Sequence, residues 1–149
     1  MVEILKKNKR REVENILEKN YGLRIPFKYH LIKTGKDKIR IFTSHLNAQD
    51  IRILDKILTV DTIGLYFAFF KDSELRLSFD FSTFVGKKSK IVLSLSESEA
   101  KKWLKGQDLD KKTRFKGYVL VKYDSDILGC GKATKNKILN FVPKERRIL

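Results

Sequence analysis

The sequence predicts an α+β protein of two small domains, with mixed helices and strands over residues 1–87 and a mostly β half over residues 88–149. Three observations carry that expectation. Apolar residues recur at helical spacing early in the chain, at Val13, Ile16, Leu17 and Tyr21. Later, residues 115–123 and 127–133 form two β-rich runs around Asp124-Ser125-Asp126, residue types that hydrogen-bond their own backbone in turns. The second of these runs carries Gly129 and Gly131 at i and i+2. Two glycines on one strand face remove two side chains at once, which admits another backbone or a ligand, or lets a small barrel bend sharply.

The elements follow in order. Residues 8–21 read as an amphipathic helix stopped by Gly22, with Lys9, Arg10, Arg11 and Lys19 on its solvated face. Pro26 closes off helix, and residues 27–33 and 38–43 read as a hairpin around Thr34-Gly35-Lys36-Asp37. Asn47 caps a short core helix whose stripe is Ile51, Leu54 and Ile57 or Leu58. After Asp61 the pattern turns β: residues 63–70 make one strand, and Leu75, Leu77, Phe79 and Phe81 alternate with Arg76, Ser78 and Asp80 as a second with one wet face. Tyr66, Phe67, Phe69, Phe70, Phe79, Phe81 and Phe84 at such spacing are expected in the core, not on a stacking platform. Residues 86–90, polar and basic, mark the domain boundary, and a strand is expected over 91–95. Ser96 and Glu99 have capping-box spacing and open a helix through Trp103 and Leu104 that Gly106 ends.

Composition narrows the function. The chain has 149 residues, 33 basic against 18 acidic, for a formal charge of +15, and 42% hydrophobic residues, enough apolar surface for a core. Charge of that size speaks of partners, and a polyanion is the first candidate. Its distribution is uneven: +7 over residues 1–44, +1 over 45–104 and +7 over 105–149. A single cysteine, Cys130, excludes an internal disulfide and a thiolate metal site, so a reducing, cytoplasmic location is expected. No run approaches a membrane span, and residues 1–11 lack the pattern of a cleaved leader.

Chemistry is sparse. No glycine-rich turn between a strand and a helix suggests a cofactor, and Cys130 between two glycines reads as a small buried residue rather than a nucleophile. His30 and His45 stand alone, and Asp124 and Asp126 read as turn residues. No catalytic residue, cofactor or metal ligand is therefore expected. What remains is a basic surface: residues 88–149 hold 16 basic and 7 acidic groups. Lys132, Lys135, Lys137, Lys144, Arg146 and Arg147 gather after the glycine strand, where phosphate contacts and close backbone approach would coincide.

Residues 88–148 resemble the PUA domain, a small RNA-binding β-barrel attached to pseudouridine synthases, archaeosine transglycosylases and ribosome-biogenesis factors. Trp103-Leu104-Lys105-Gly106-Gln107-Asp108-Leu109 looks like that family's leucine, x, glycine, x, aspartate, leucine element, and Ile127-Leu128-Gly129-Cys130-Gly131-Lys132-Ala133 like its glycine-bearing strand. Ile138-Leu139-Asn140-Phe141-Val142-Pro143-Lys144 is similar to a segment of the PUA-like module of Nol/Nop/Sun-type (Fmu) RNA cytosine-5 methyltransferases. The chain departs from the usual PUA pattern at residues 112–117, where a proline-glycine would stand. Before Gly86, the order of helix, hairpin, short helix and strand pair ending near Phe84 resembles the pre-PUA domain of Nip-seven-type ribosome-biogenesis factors. These resemblances imply a pre-PUA α+β domain (1–87) followed by a PUA-like β pseudo-barrel (88–149). They imply non-catalytic binding of rRNA or tRNA in ribosome biogenesis or RNA modification. The RNA contacts would be Lys116, Lys132, Lys135, Lys137, Asn140, Lys144, Arg146 and Arg147, with the backbone approached at Gly106, Gly129 and Gly131. The alternative is an interaction scaffold that delivers a separate RNA-modifying enzyme or ribosome-assembly factor.

Overall fold

A computed structural model describes residues 2–58, 60 and 62–149; Asp61, at which the sequence pattern turns β, lies outside them. The first half contains strand β1 (Glu3–Ile4), helix α1 (Lys7–Tyr21), β2 (His30–Thr34), β3 (Lys38–Phe42), α2 (Ala48–Leu58), β4 (Leu65–Lys71), β5 (Glu74–Leu77) and α3 (Phe79–Val85). A 3-10 turn, Gly86–Lys88, leads into β6 (Val92–Ser94), α4 (Glu97–Leu104), β7 (Leu109–Asp110), β8 (Gly117–Tyr123), β9 (Asp126–Ala133), β10 (Lys137–Leu139) and a last 3-10 turn, Lys144–Arg146. The first five strands form an antiparallel meander in the order β1-β2-β3-β4-β5. The other five form a sheet in the order β6-β8-β9-β10-β7, parallel only between β6 and β8. The fold is α+β. The second sheet keeps β6 and β7 as edges, so the expected pseudo-barrel is an unclosed one.

The expected amphipathic helix is α1: Val13, Leu17 and Tyr21 are buried, and Gly22 ends it in the left-handed region at φ 61°, which only a residue without Cβ adopts without cost. The hairpin expected around Asp124-Ser125-Asp126 is β8–β9, with Asp124 at φ 52°. Ser96 and Glu99 form the expected reciprocal cap of α4.

Three expectations need correction. The strand expected to run through Phe79 and Phe81 stops at Leu77, and α3 begins at Phe79. Ser78 makes the switch: its Oγ accepts from the Phe81 N–H at 3.1 Å and donates to the Tyr66 carbonyl at 2.7 Å, so an N-cap overrides the alternation. Phe81 is thereby turned into the core, edge-on to Phe67 at 4.5 Å, while Phe84 stays exposed. The second correction is α2, which buries only Ile51; Leu54, Ile57 and Leu58 of its apolar stripe face outward. The third is Gly86 alone: Lys87, Lys88 and Lys90 are exposed, but Gly86 is buried, and a Cβ there would lie 3.0 Å from Ile127 of β9.

Strand parity explains how the two halves meet. On β8, Leu120 joins a core with Val13, Leu17, Tyr21, Phe67 and Phe81 of the first half, whereas Val119 and Val121 join a second core with Leu93, Ala100, Trp103 and Ile138. Successive side chains of a strand point to opposite faces, so β8 serves both cores. β9 also serves both, sending Ile127 and Cys130 to the first core and Leu128 and Ala133 toward the second, because a register shift opposite Leu120–Lys122 inserts one extra residue and breaks its alternation. Tyr21 adds a polar tie, its hydroxyl donating to the Leu75 carbonyl at 2.5 Å and lying 3.4 Å from the Cys130 sulfur.

Candidate nucleic-acid interface

The glycine strand does bring the backbone close to other groups, and those groups belong to the protein. Gly129 has φ 103°, and a Cβ there would lie 3.0 Å from the Phe79 ring. At Gly131 a Cβ would lie 2.6 Å from Trp103 Cη2, 2.9 Å from Ile138 Cγ2 and 3.1 Å from the Leu139 carbonyl oxygen. Trp103 fills this space and donates its indole N–H to the Leu128 carbonyl at 2.8 Å. Gly106, at φ 86°, is covered by the Arg147 guanidinium, whose Nε donates to the Val142 carbonyl at 3.0 Å. The three glycines thus shape the second core and its rim instead of opening a cleft.

The expected contact residues divide into three groups. Asn140 is fully engaged within the fold: its amide donates to the Trp103 and Gln107 carbonyls at 2.8 and 3.0 Å, and its Oδ1 accepts from the Val142 N–H at 2.8 Å. With Arg147 it fastens the last segment to α4. Lys132, Lys137 and Arg146 pair with Glu74 (3.1 Å), Asp110 (3.7 Å) and Asp80 (2.9 Å). Exposed pairs of this kind contribute about 0–1 kcal/mol, so a phosphate can replace the carboxylate at small cost. Lys116, Lys135 and Lys144 are exposed and make no ion pair among the described residues.

Beside these cations lies a row of rings and charges that the sequence reading did not single out. Arg76 stacks between Phe69, at 5.0 Å, and Phe141, at 4.3 Å. Phe141 meets Tyr118 edge-on at 5.9 Å, and Lys132 stands 5.0 Å over Tyr118. All five side chains are partly exposed. The row crosses from β4 and β5 to β8, β9 and the last segment. One signal for it was present in the sequence, since Arg76 falls on the wet face of the alternation. The long-range partner Phe141 had none, because its neighbours come from the packing of two sheets.

Two of the residues weighed for chemistry are held within the fold. Cys130 is buried, and burial pushes its thiol up to about 11, so it stays protonated at neutral pH. His30 Nε2 is bonded to the Leu46 carbonyl at 2.8 Å. Asp124 and Asp126 flank the tip of the β8–β9 hairpin.

Residues 90–148 match the family described as the methyltransferase RsmF PUA domain, so this part of the chain is PUA-like. The match takes in β6 through β10, α4 and the row's Tyr118, Lys132 and Phe141, and leaves out the first half. Two curated relatives align with it: ribosomal RNA small subunit methyltransferase F of Vibrio vulnificus strain YJ016 and of strain CMCP6. Each is 38% identical to this chain over 56 residues, which is 38% of this chain and 12% of the relative. The chain thus spans only a small part of the length of these relatives.

Proposed function

We propose that the chain is a non-catalytic RNA-binding protein that acts in the cytoplasm in rRNA maturation, with its PUA domain holding single-stranded or unpaired RNA and its first half serving as a pre-PUA domain. The observation that carries this reading is the coincidence of exposed, unpaired cations of the PUA-like half with a row of partly exposed rings and the Arg76 guanidinium, which β5 of the first half contributes. Lys116, Lys135 and Lys144 offer charges to phosphates, while Tyr118, Phe141 and Arg76 offer flat faces to unstacked bases. The names of the aligned relatives favour ribosomal RNA. Burial of Cys130 favours a role without chemistry.

Fluorescence anisotropy with single-stranded RNA tests it. Replacing Lys116, Lys135 and Lys144 by Ala should weaken binding and lower the slope of log affinity against log salt by about 2, at ~0.7 per lost phosphate contact. Replacing Lys19, Lys28 and Lys56 removes the same charge elsewhere and should do much less. Equal losses from the two triple variants, or no saturable binding by the native chain, would refute the reading. Titration calorimetry with S-adenosylmethionine should show no saturable heat up to about 1 mM, where ~4 kcal/mol of binding would already be visible.

A second reading, a scaffold that delivers an RNA-modifying enzyme or assembly factor, is favoured by the outward apolar side of α2, with Ile57 and Leu58 70% and 66% exposed. A defined partner retained after nuclease treatment, and lost from a Leu54→Ser, Ile57→Ser, Leu58→Ser variant, would select it.

A further inference from the structure

The first half carries a basic groove of roughly 1040 Å³, walled by β1, the start of α1, the tips of the β2–β3 and β4–β5 hairpins, and Arg52 of α2. Seven basic side chains line it against three acidic ones, Glu3, Asp37 and Asp72. Lys6, Lys33, Lys36, Arg52 and Lys71 make no ion pair among the described residues. Crowding like charges around a concavity costs energy that only an anion offsets. The start of α1 adds to the same field: Lys6 provides no side-chain cap, and the first turn has no acidic residue, where the helix dipole favours negative charge. At the wall Phe70 is half-buried, with Lys9 Nζ 5.8 Å from its ring centre.

We propose that this groove is a second RNA-binding site, taking the phosphodiester backbone of the strand that the PUA domain holds. The proposal rests on the RNA-binding reading above. Three features favour a polynucleotide over a small anion. The lysines are spread over several elements instead of converging on one point, which suits a repeating charge. Phe70 supplies a flat face beside them, as single-strand grooves do. The groove also adjoins the interface already described: Lys132 of β9 is paired with Glu74 at the start of β5, directly after the groove wall formed by Lys71, Asp72 and Ser73. A strand passing Lys132 therefore enters the groove by following β5 to its hairpin tip.

The test uses the full chain and two single-stranded RNAs of about 6 and about 20 nucleotides, the first within and the second beyond the ~4–16 nucleotides of one single-strand module. Lys33→Ala, Lys36→Ala and Lys71→Ala are combined, all three residues being exposed, and thermal melting verifies the fold. The variant should bind the long RNA about 10–100-fold more weakly at ~0.1 M salt, with a salt slope lower by about 2, and should bind the short RNA as the native chain does. Unchanged binding of the long RNA overturns the groove as a site, as does a loss no larger than that of the Lys19, Lys28, Lys56 control. Displacement of the long RNA by polyglutamate as readily as by unlabelled RNA also overturns it, in favour of an acidic protein. If Lys116, Lys135 and Lys144 matter while the groove residues do not, this proposal alone fails; if the native chain binds neither RNA, both fail.

Discussion

Helices α4 and α2 open in the same way and end in opposite circumstances. At α4 the Ser96 Oγ accepts from the Glu99 N–H and the Glu99 carboxylate accepts from the Ser96 N–H, at 3.3 and 2.9 Å. At α2 Asn47 and Asp50 exchange the equivalent bonds at 2.9 and 3.1 Å. Both helices are amphipathic. Yet α4 buries Ala100 and Trp103 completely, whereas α2 buries Ile51 and leaves Ile53, Leu54, Ile57 and Leu58 outward. An apolar stripe shows that a face exists and not what covers it. For α4 the cover is the glycine strand, cut back at Gly131 to receive the indole; α2 has no such receiver among the described residues.

The largest test of this contrast is Trp103→Ala. It removes a fully buried ring and leaves the Leu128 carbonyl without its donor, so stability should fall by about 3–5 kcal/mol, read from the midpoint of urea unfolding. The reciprocal change, Gly131→Ala, sets a Cβ 2.6 Å from the same ring and 3.1 Å from backbone oxygen, and should cost about 1–3 kcal/mol. A neutral Gly131→Ala would mean that the strand and helix are not fitted to one another.

The caps provide a finer comparison. Ser96→Ala and Asn47→Ala should each lose about 1 kcal/mol, which would show that the two helices share their beginnings and differ only in cover. Glu99 adds a pH signature to α4. Burial raises its carboxyl, but the Ser96 N–H and Lys111 outweigh burial and hold it below the usual value. A carboxyl depressed in the folded state stabilises above its unfolded value and loses that contribution as pH falls through the folded one. Glu99→Gln should therefore lower stability by about 1 kcal/mol or less at neutral pH and flatten the acid side of the stability profile below the unfolded carboxylate range of about pH 4.3.

Local signals were legible in the residues, and signals made by packing were not. The turn at Asp124-Ser125, the stop at Gly22 and the Ser96–Glu99 cap each act within a few positions, so sequence alone shows them. Ser78 was misread because alternation and capping compete at one residue, and its bond to Tyr66 is made across the sheet. Among the expected contacts, Lys116, Lys135 and Lys144 are exposed and make no ion pair among the described residues. Asn140 and Arg147 instead hold the last segment against α4, and a polar residue near a glycine gives no sign of which role it takes. The row through Arg76 and Phe141 was hidden for the same reason: its members lie 65 positions apart and meet only because the two sheets pack together.

The smallest expected effect on stability is also the one that bears most on α2. Ile57 and Leu58, unlike the more covered Leu54, are already largely in water in the folded chain, so replacing them by Ser takes little apolar surface out of the core. Each change should alter unfolding free energy by no more than about 0.5 kcal/mol, far below Trp103→Ala. Retention on a hydrophobic-interaction column should nevertheless fall, because the same side chains form the apolar stripe that faces solvent. A loss of about 2 kcal/mol or more from Ile57→Ser, at the scale of a buried aliphatic side chain, would show that α2 is covered in solution. The contrast between the two helices would then disappear.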